Sequence, residues 1–160
     1  MDNVAQADAD AAVEIIRAAT TFDWTWGRRD IEHFSALVDW KPDDFGNATT
    51  VFMTTSAAIN HPVAWFELND GLIQEFSFHV TDRVDTTEQI FLIDAFATVS
   101  SRINDLLGAP TRRLPGRRPG LQWDQSKLIV ELLQLNKSIT ITLINPKYRK
   151  PSNSRTALPN

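Results

Sequence analysis

Cysteine is missing from all 160 residues. That excludes a disulfide, a thiolate nucleophile and any zinc site built on thiolates. It fits a reducing compartment. Histidine is almost as scarce, with His33, His61 and His79 the whole supply. No two of them have the His-x-His or His-x-x-x-His spacing that brings ligands to one metal, so unrelated surface or edge histidines are expected, and no metal site. None of the six glycines falls in a Gly-x-Gly-x-x-Gly or Walker arrangement, which removes the backbone cradles that hold phosphates and nucleotide cofactors. No cofactor is expected. There is no Gly-x-Ser-x-Gly turn to expose a serine nucleophile. No run approaches the ~20 apolar residues that span a bilayer. The start, Met1-Asp2-Asn3-Val4-Ala5-Gln6-Ala7-Asp8, lacks the basic region and apolar stretch of a secretion signal. A cytoplasmic protein without a membrane partner is expected.

What is present reads as globular. Hydrophobic residues make up 42% and charged residues 22%, with nine phenylalanines and five tryptophans to fill a core. The length suits one domain. Charge is divided along the chain. Residues 1–110 hold 18 acids and 6 bases, net −12, while residues 111–160 hold 2 acids and 10 bases, net +8. Such polarity steers association with charged partners, and an acidic body repels phosphates, so nucleic acid is not the expected partner.

Periodicity predicts the element order α-α-β-β-β-α-β-β-β. Helical spacing of Val13, Ile16 and Ala19 marks residues 8–21, with Asp8 or Asp10 as cap. A second helix is expected over 27–39, capped by Thr25 and stapled to the first by the aromatics of Phe22–Trp26. Proline and glycine in Trp40–Gly46 read as a turn. Strands are expected over 49–55, 61–68 and 72–80, the last two joined by a hairpin turn at Asp70-Gly71. Asp85 to Glu88 has the spacing of a capping box for a third helix, with Ile90, Ile93 and Ala97 along one face. Leu107-Gly108-Ala109-Pro110 ends it. Strands follow over 121–124, 128–134 and 138–144. The fold class is α+β: a largely antiparallel sheet of about six strands with helices packed on one face. One domain spans 1–145, and 146–160 reads as a disordered basic tail.

Four features invite chemistry. His79-Val80-Thr81-Asp82 leaves a strand and could form an acid/base pair, although Thr81 and Asp82 equally serve as turn formers that bond backbone. Asp43-Asp44 is the one adjacent acidic pair, and turn formation explains it equally well. Glu67 and Glu75 flank the hairpin and could share a sheet face. Arg112-Arg113 and Arg117-Arg118 bracket Leu-Pro-Gly in a stiff basic loop. Guanidinium forks there could hold an acidic partner or an anion, or could be spent on the acidic body of the same molecule. No residue combination completes a mechanism, and no enzymatic activity is expected.

Phe22-Asp23-Trp24-Thr25-Trp26, Phe78-His79-Val80-Thr81-Asp82, Leu92–Ala97, Leu107-Gly108-Ala109-Pro110-Thr111-Arg112-Arg113 and Trp123 together resemble an uncharacterised family of small actinobacterial proteins, a domain of unknown function, over about residues 10–145. The resemblance implies a genomic setting near secreted polymorphic toxins. That setting implies an immunity protein, an antitoxin that binds a cognate toxin domain and occludes its active site. The family's motifs are structural, so no functional residue is carried over from it. On charge alone the candidate contacts are Asp39, Asp43, Asp44, Glu67, Asp70, Glu75, Asp82, Asp85, Arg112, Arg113, Arg117 and Arg118. A secretion chaperone or adaptor, holding an extended segment along a sheet edge, is the alternative, with a small hydrolase using His79 and Asp82 ranked below it.

Overall fold

The computed structural model describes residues 4–148, the side chains of residues 44 and 45 excepted. Three helices, α1 (Ala9–Thr21), α2 (Arg29–Leu37) and α3 (Gln89–Leu107), pack with an eight-stranded antiparallel sheet. The strands are β1 (Lys41–Gly46), β2 (Thr50–Thr54), β3 (Val63–Asn69), β4 (Leu72–His79), β5 (Arg112–Arg113), β6 (Gly120–Asp124), β7 (Ile129–Gln134) and β8 (Ile139–Ile144). Their spatial order is β1-β2-β3-β4-β8-β7-β6-β5.

Two strands exceed the expected six. Trp40–Gly46 is not a turn: its residues from Lys41 onward form β1, an edge strand paired only with β2. An edge tolerates Pro42, which has no N–H to give to a ladder, and the register shifts between Pro42 and Gly46. Gly46 is required there, because a Cβ would lie 2.8 Å from the Thr50 carbonyl oxygen. The basic loop begins as β5, two residues paired with β6. Periodicity misses both strands, since neither carries an alternating apolar pattern.

The chain order repeats. α1 leads by way of α2 to the meander β1–β4, and α3 leads to the meander β5–β8. The last strands of the two meanders pair antiparallel at the centre, so the two halves mirror each other in strand order. Nothing in the sequence betrays this, because the two meanders share a hydrogen-bonding plan rather than residues.

Strand alternation sends Phe66, Phe76, Phe78, Leu132, Ile141, Leu143 and Trp123 into one core cluster with Ile16, Phe34 and Leu92 of the helices. Full burial of such a side chain stabilises by roughly 1.5–3 kcal/mol. Aromatics dominate the α2 end: Trp24 lies 4.5 Å from Phe22, 5.0 Å from Phe34 and 5.4 Å from Phe76 between ring centroids. The cluster staples the helices as expected, and the Trp24 indole donates to the Ala19 carbonyl at the end of α1. On the opposite face Trp65, Ser77, Thr142, Glu131 and Gln122 stand in register across five strands. The Ser77 and Thr142 hydroxyls are 2.8 Å apart where the two halves meet.

The caps are partly as read. Asp8 caps α1 by accepting from the Ala11 N–H at 3.0 Å. Thr25 does not cap α2. Buried Asp30 accepts from the Thr25 and Trp26 N–H groups, both at 2.8 Å, and the helix starts later, at Arg29. The capping box before α3 does not form. Asp85 spends its carboxylate two residues on, accepting from the Thr87 N–H at 2.8 Å and hydroxyl at 2.7 Å, which leaves the helix to start at Gln89. Those bonds hold the Asp85 carboxyl below its ordinary range. α3 also turns a different face inward. Leu92, Ala95, Val99 and Ile103 are buried, whereas Ile90 and Ile93 are 76% and 55% exposed. Gly108 (φ 92°) ends α3 as expected, and the turn at Asp70 (φ 54°) and Gly71 (φ 79°) is the left-handed pair a two-residue hairpin needs. Pro146–Tyr148 forms a single 3₁₀ turn, and the rest of the expected tail, residues 149–160, lies outside the described residues.

Asp82 joins three segments. Its two oxygens accept from the Gln6 N–H at 2.8 Å and the Asn60 N–H at 2.7 Å, beside the Ala7–Thr81 bridge. Replacing it strands both donors. Asp82→Ala should lower stability by about 1–2 kcal/mol, read as a lower urea midpoint at unchanged m-value.

Candidate protein-binding surface

The acidic candidates do not form one patch. Glu67 and Glu75 face each other across β3–β4, as their position around the hairpin suggests, and Glu67 accepts from the Thr50 hydroxyl at 3.0 Å. Glu75 and Asp43 are likewise engaged. Asp70 occupies the hairpin turn beyond that end of the strands. Asp82 and Asp85 follow the opposite end of β4, each committed to backbone donors. Asp39 pairs with Lys41 at 3.1 Å in the open, and such exposed pairs contribute little. Asp44 lies in β1.

The basic residues behave differently. Arg112 is held on the sheet: its guanidinium reaches Asp124 at 3.2 Å, and Asp124 also accepts from the Gln122 amide at 2.8 Å. Its partner therefore comes from the neighbouring strand rather than from the acidic body. For Arg113, Arg117 and Arg118, no carboxylate among the described residues lies within 4.0 Å. Among the described residues the acidic body does not absorb the charge of these three: Asp8, Asp30, Asp82 and Asp85 accept from backbone N–H groups, and Asp10 and Glu14 pair with Arg102 and Arg17.

Local geometry presents two of these cations, Arg117 and Arg118, on a formed cleft. The Leu114 N–H donates to the Gly120 carbonyl at 3.0 Å and closes the loop, and Gly116 (φ 127°) takes a conformation that only glycine adopts freely. Gly120 lets the strand pass close, since a Cβ there would meet Leu114 and Leu133 at 3.0–3.1 Å. The Gln134 N–H donates to the Pro119 carbonyl at 3.0 Å, fixing the loop against the end of β7. Between the loop and the β7–β8 turn lies a cleft of about 620 Å³, lined by Leu114, Leu133 and Leu135 with Arg117, Arg118, Gln134 and Asn136. The Arg118 guanidinium donates to the Asn136 side-chain oxygen at 3.2 Å, which orients it. Gln134 is 7% exposed, yet its buried side-chain oxygen meets no donor. An orphaned buried acceptor costs about 1–3 kcal/mol unless something satisfies it. A ligand with carboxylates for Arg117 and Arg118 and an apolar part for the leucine walls would suit the cleft. An acidic peptide segment has both.

Histidine contributes a second cluster that spacing missed. The His61 and His79 rings lie with centroids 4.8 Å apart and planes tilted by 54°, and Trp65 lies 5.3 Å from His79. The signal lay in the hairpin: a register set by Asp70-Gly71 carries the end of β4 back to the start of β3, where His61 waits. His79 does not pair with Asp82, whose oxygens serve backbone donors. Its Nδ1 is buried without a partner, and burial, with lesser contributions from His61 and Arg83, lowers its pKa to about 4. Among the described residues, no three His, Asp or Glu side chains gather as a metal site.

Two expectations follow. Arg112→Ala leaves half-buried Asp124 without its guanidinium and should cost about 1 kcal/mol, whereas Arg117→Ala/Arg118→Ala should stay within about 0.5 kcal/mol of wild type, both read by urea denaturation. His79, whose folded pKa lies below the unfolded 6.5, contributes stability that is present in full above pH 6.5. It is lost as pH falls through that value towards about 4, because the unfolded chain takes up the proton first. Wild type should therefore lose stability relative to His79→Phe across this window, and parallel pH–stability curves for the two would contradict the assignment.

No curated protein and no solved structure matches the chain. A family model does, over residues 10–145, a span holding all three helices, bar the first residue of α1, and every strand of the sheet: the chain belongs to DUF6301, a family of unknown function.

Proposed function

We propose that this protein is an immunity protein of the cytoplasm, a non-catalytic antitoxin that binds a cognate toxin domain and blocks its active site. The observation that carries the reading is the loop cleft. Among the described residues, Arg117 and Arg118 have no carboxylate within 4.0 Å, and both line the cleft beside Leu114, Leu133 and Leu135 in a molecule of net charge −4. Unpaired like charges held together repel one another, and a partner's carboxylates relieve that cost. Apolar walls beside oriented arginines are the composition of interface hot spots. Among the described residues, no helix is long and apolar enough to cross a membrane. The chaperone alternative relies on a free sheet edge. β1 is such an edge, but Pro42 and its irregular register blunt it against strand addition.

The reading is tested by co-purification with the product of the adjacent gene and by growth rescue on co-expression. The wild type should bind and protect, with affinity falling as salt rises. Arg117→Glu/Arg118→Glu should weaken binding at least about tenfold, or ~1.4 kcal/mol, and reduce protection. Failure to recover a toxin, together with no protection, would sink the proposal.

A further inference from the structure

A second cleft lies near the opposite margin of the sheet, and nothing above uses it. Residues of α2, β1 and β2, with Arg28 just before α2, line a cavity of about 410 Å³. Its floor is apolar, with Ile31 of α2 and Val51 and Met53 of β2, Ile31 and Met53 being buried. Its rim carries Arg28, Arg29 and Glu32. Both arginines lie at exposed positions. Among the described residues neither has a carboxylate within 4.0 Å, although Glu32 is only three and four positions further on.

These arginines do not serve the helix. A cation at a helix start opposes the macrodipole, by about 0.3–1 kcal/mol, and Arg28 makes no side-chain cap bond. The upstream amides are already satisfied by Asp30. The helix does place Arg28 one turn before Ile31, on the same face. Cationic rim and apolar floor therefore lie within one turn of each other.

This spacing restricts the occupant. An aliphatic group must reach the floor while a carboxylate on nearly the same atom meets the rim. The last residue of a peptide has that arrangement, with side chain and carboxylate on one Cα, whereas an internal Asp or Glu carries its carboxylate on a separate side chain. We propose that this cleft captures a peptide C-terminus ending in an aliphatic residue. Its side chain seats on Ile31, Val51 and Met53. The terminal carboxylate lies between Arg28 and Arg29, and the preceding N–H donates to Glu32. Charge complementarity selects this occupant, since two guanidiniums favour an anion and the single rim carboxylate accepts the amide.

The test is a nitrogen-edited NMR titration of the full chain with N-acetyl-leucine, with N-acetyl-leucinamide and N-acetyl-aspartyl-leucinamide as controls. The acid should shift the backbone resonances of Arg29, Ile31, Val51 and Met53 saturably. The neutral amide and the internal-carboxylate dipeptide should bind at least about tenfold more weakly. Arg28→Gln/Arg29→Gln, both at exposed sites, should keep the folded spectrum and lose at least about tenfold in affinity for the acid. No saturable shift with the acid overturns the proposal, as does equal binding of the neutral amide. Equal binding of the dipeptide overturns the assignment to a chain terminus, and shifts confined to the Arg117–Gln134 cleft place the ligand elsewhere. The toxin-binding reading is untouched by each outcome, because its own test concerns a different surface.

Discussion

The pairing of β4 with β8 is the constraint on which the rest of this protein depends. These strands lie far apart in the chain, and their register from Glu75–Ile144 to His79–Thr140 joins two meanders that would otherwise each end in an open edge. The same ladder decides which face receives the helices. It sets Phe76 beside Leu143 and Phe78 beside Ile141 on the core side, and Ser77 beside Thr142 on the other. A slip of one residue would send hydroxyls into the core and phenylalanines out of it. The Ser77–Thr142 contact at 2.8 Å resists that slip on its own face. Once the ladder is set, α3 has β7 and β8 to pack on, and α1 has α3.

The two clefts follow from how the sheet margins are finished. At the β5 margin the strand is two residues long, and the chain leaves it in a glycine-shaped loop whose Arg117 and Arg118 lie beyond 4.0 Å of every carboxylate among the described residues. At the β1 margin, α2 is short and lies across a strand interrupted by Pro42 and Gly46. Incomplete closure at a margin leaves concavity, and concavity beside unpaired charge is what recognition needs. The acids of the body contribute less than their number implies. Asp8, Asp30, Asp82 and Asp85 each accept from backbone N–H groups, so they shape turns and latches and are not held in reserve for a partner.

Much of the architecture is legible in the residues. The hairpin at Asp70-Gly71, the stop at Gly108, the cap at Asp8 and the alternation in β4 and β8 rest on local rules: positive φ, an N-terminal acceptor, a period of two. The errors share one cause. Thr25 and the Asp85–Glu88 spacing satisfy a helix-start pattern, but nearby groups claimed the same hydrogen bonds first. Ile90 and Ile93 obey helical spacing as well as Leu92 and Ala95 do, and only the partner surface chose between them. In the candidate sites the loop arginines were legible as a charge run. The buried acceptor of Gln134 and the tilted contact of His61 with His79 were not, because each arises from strands brought together in space.

By itself, the sequence determined the class of fold, the hairpin at Asp70-Gly71, the stop at Gly108, the division of charge, the lack of cysteine and the scarcity of histidine. Those follow from composition and from interactions within a few residues. Tertiary structure alone decided the edge strands, the mirrored halves, which face of α3 is buried and which arginines remain unpaired. The reason is physical: pairing between a guanidinium and a carboxylate depends on a few ångströms of separation, and strand order sets that separation where chain order does not. The sequence has no cysteine and no glycine phosphate loop, and both clefts lie at the margins of the sheet.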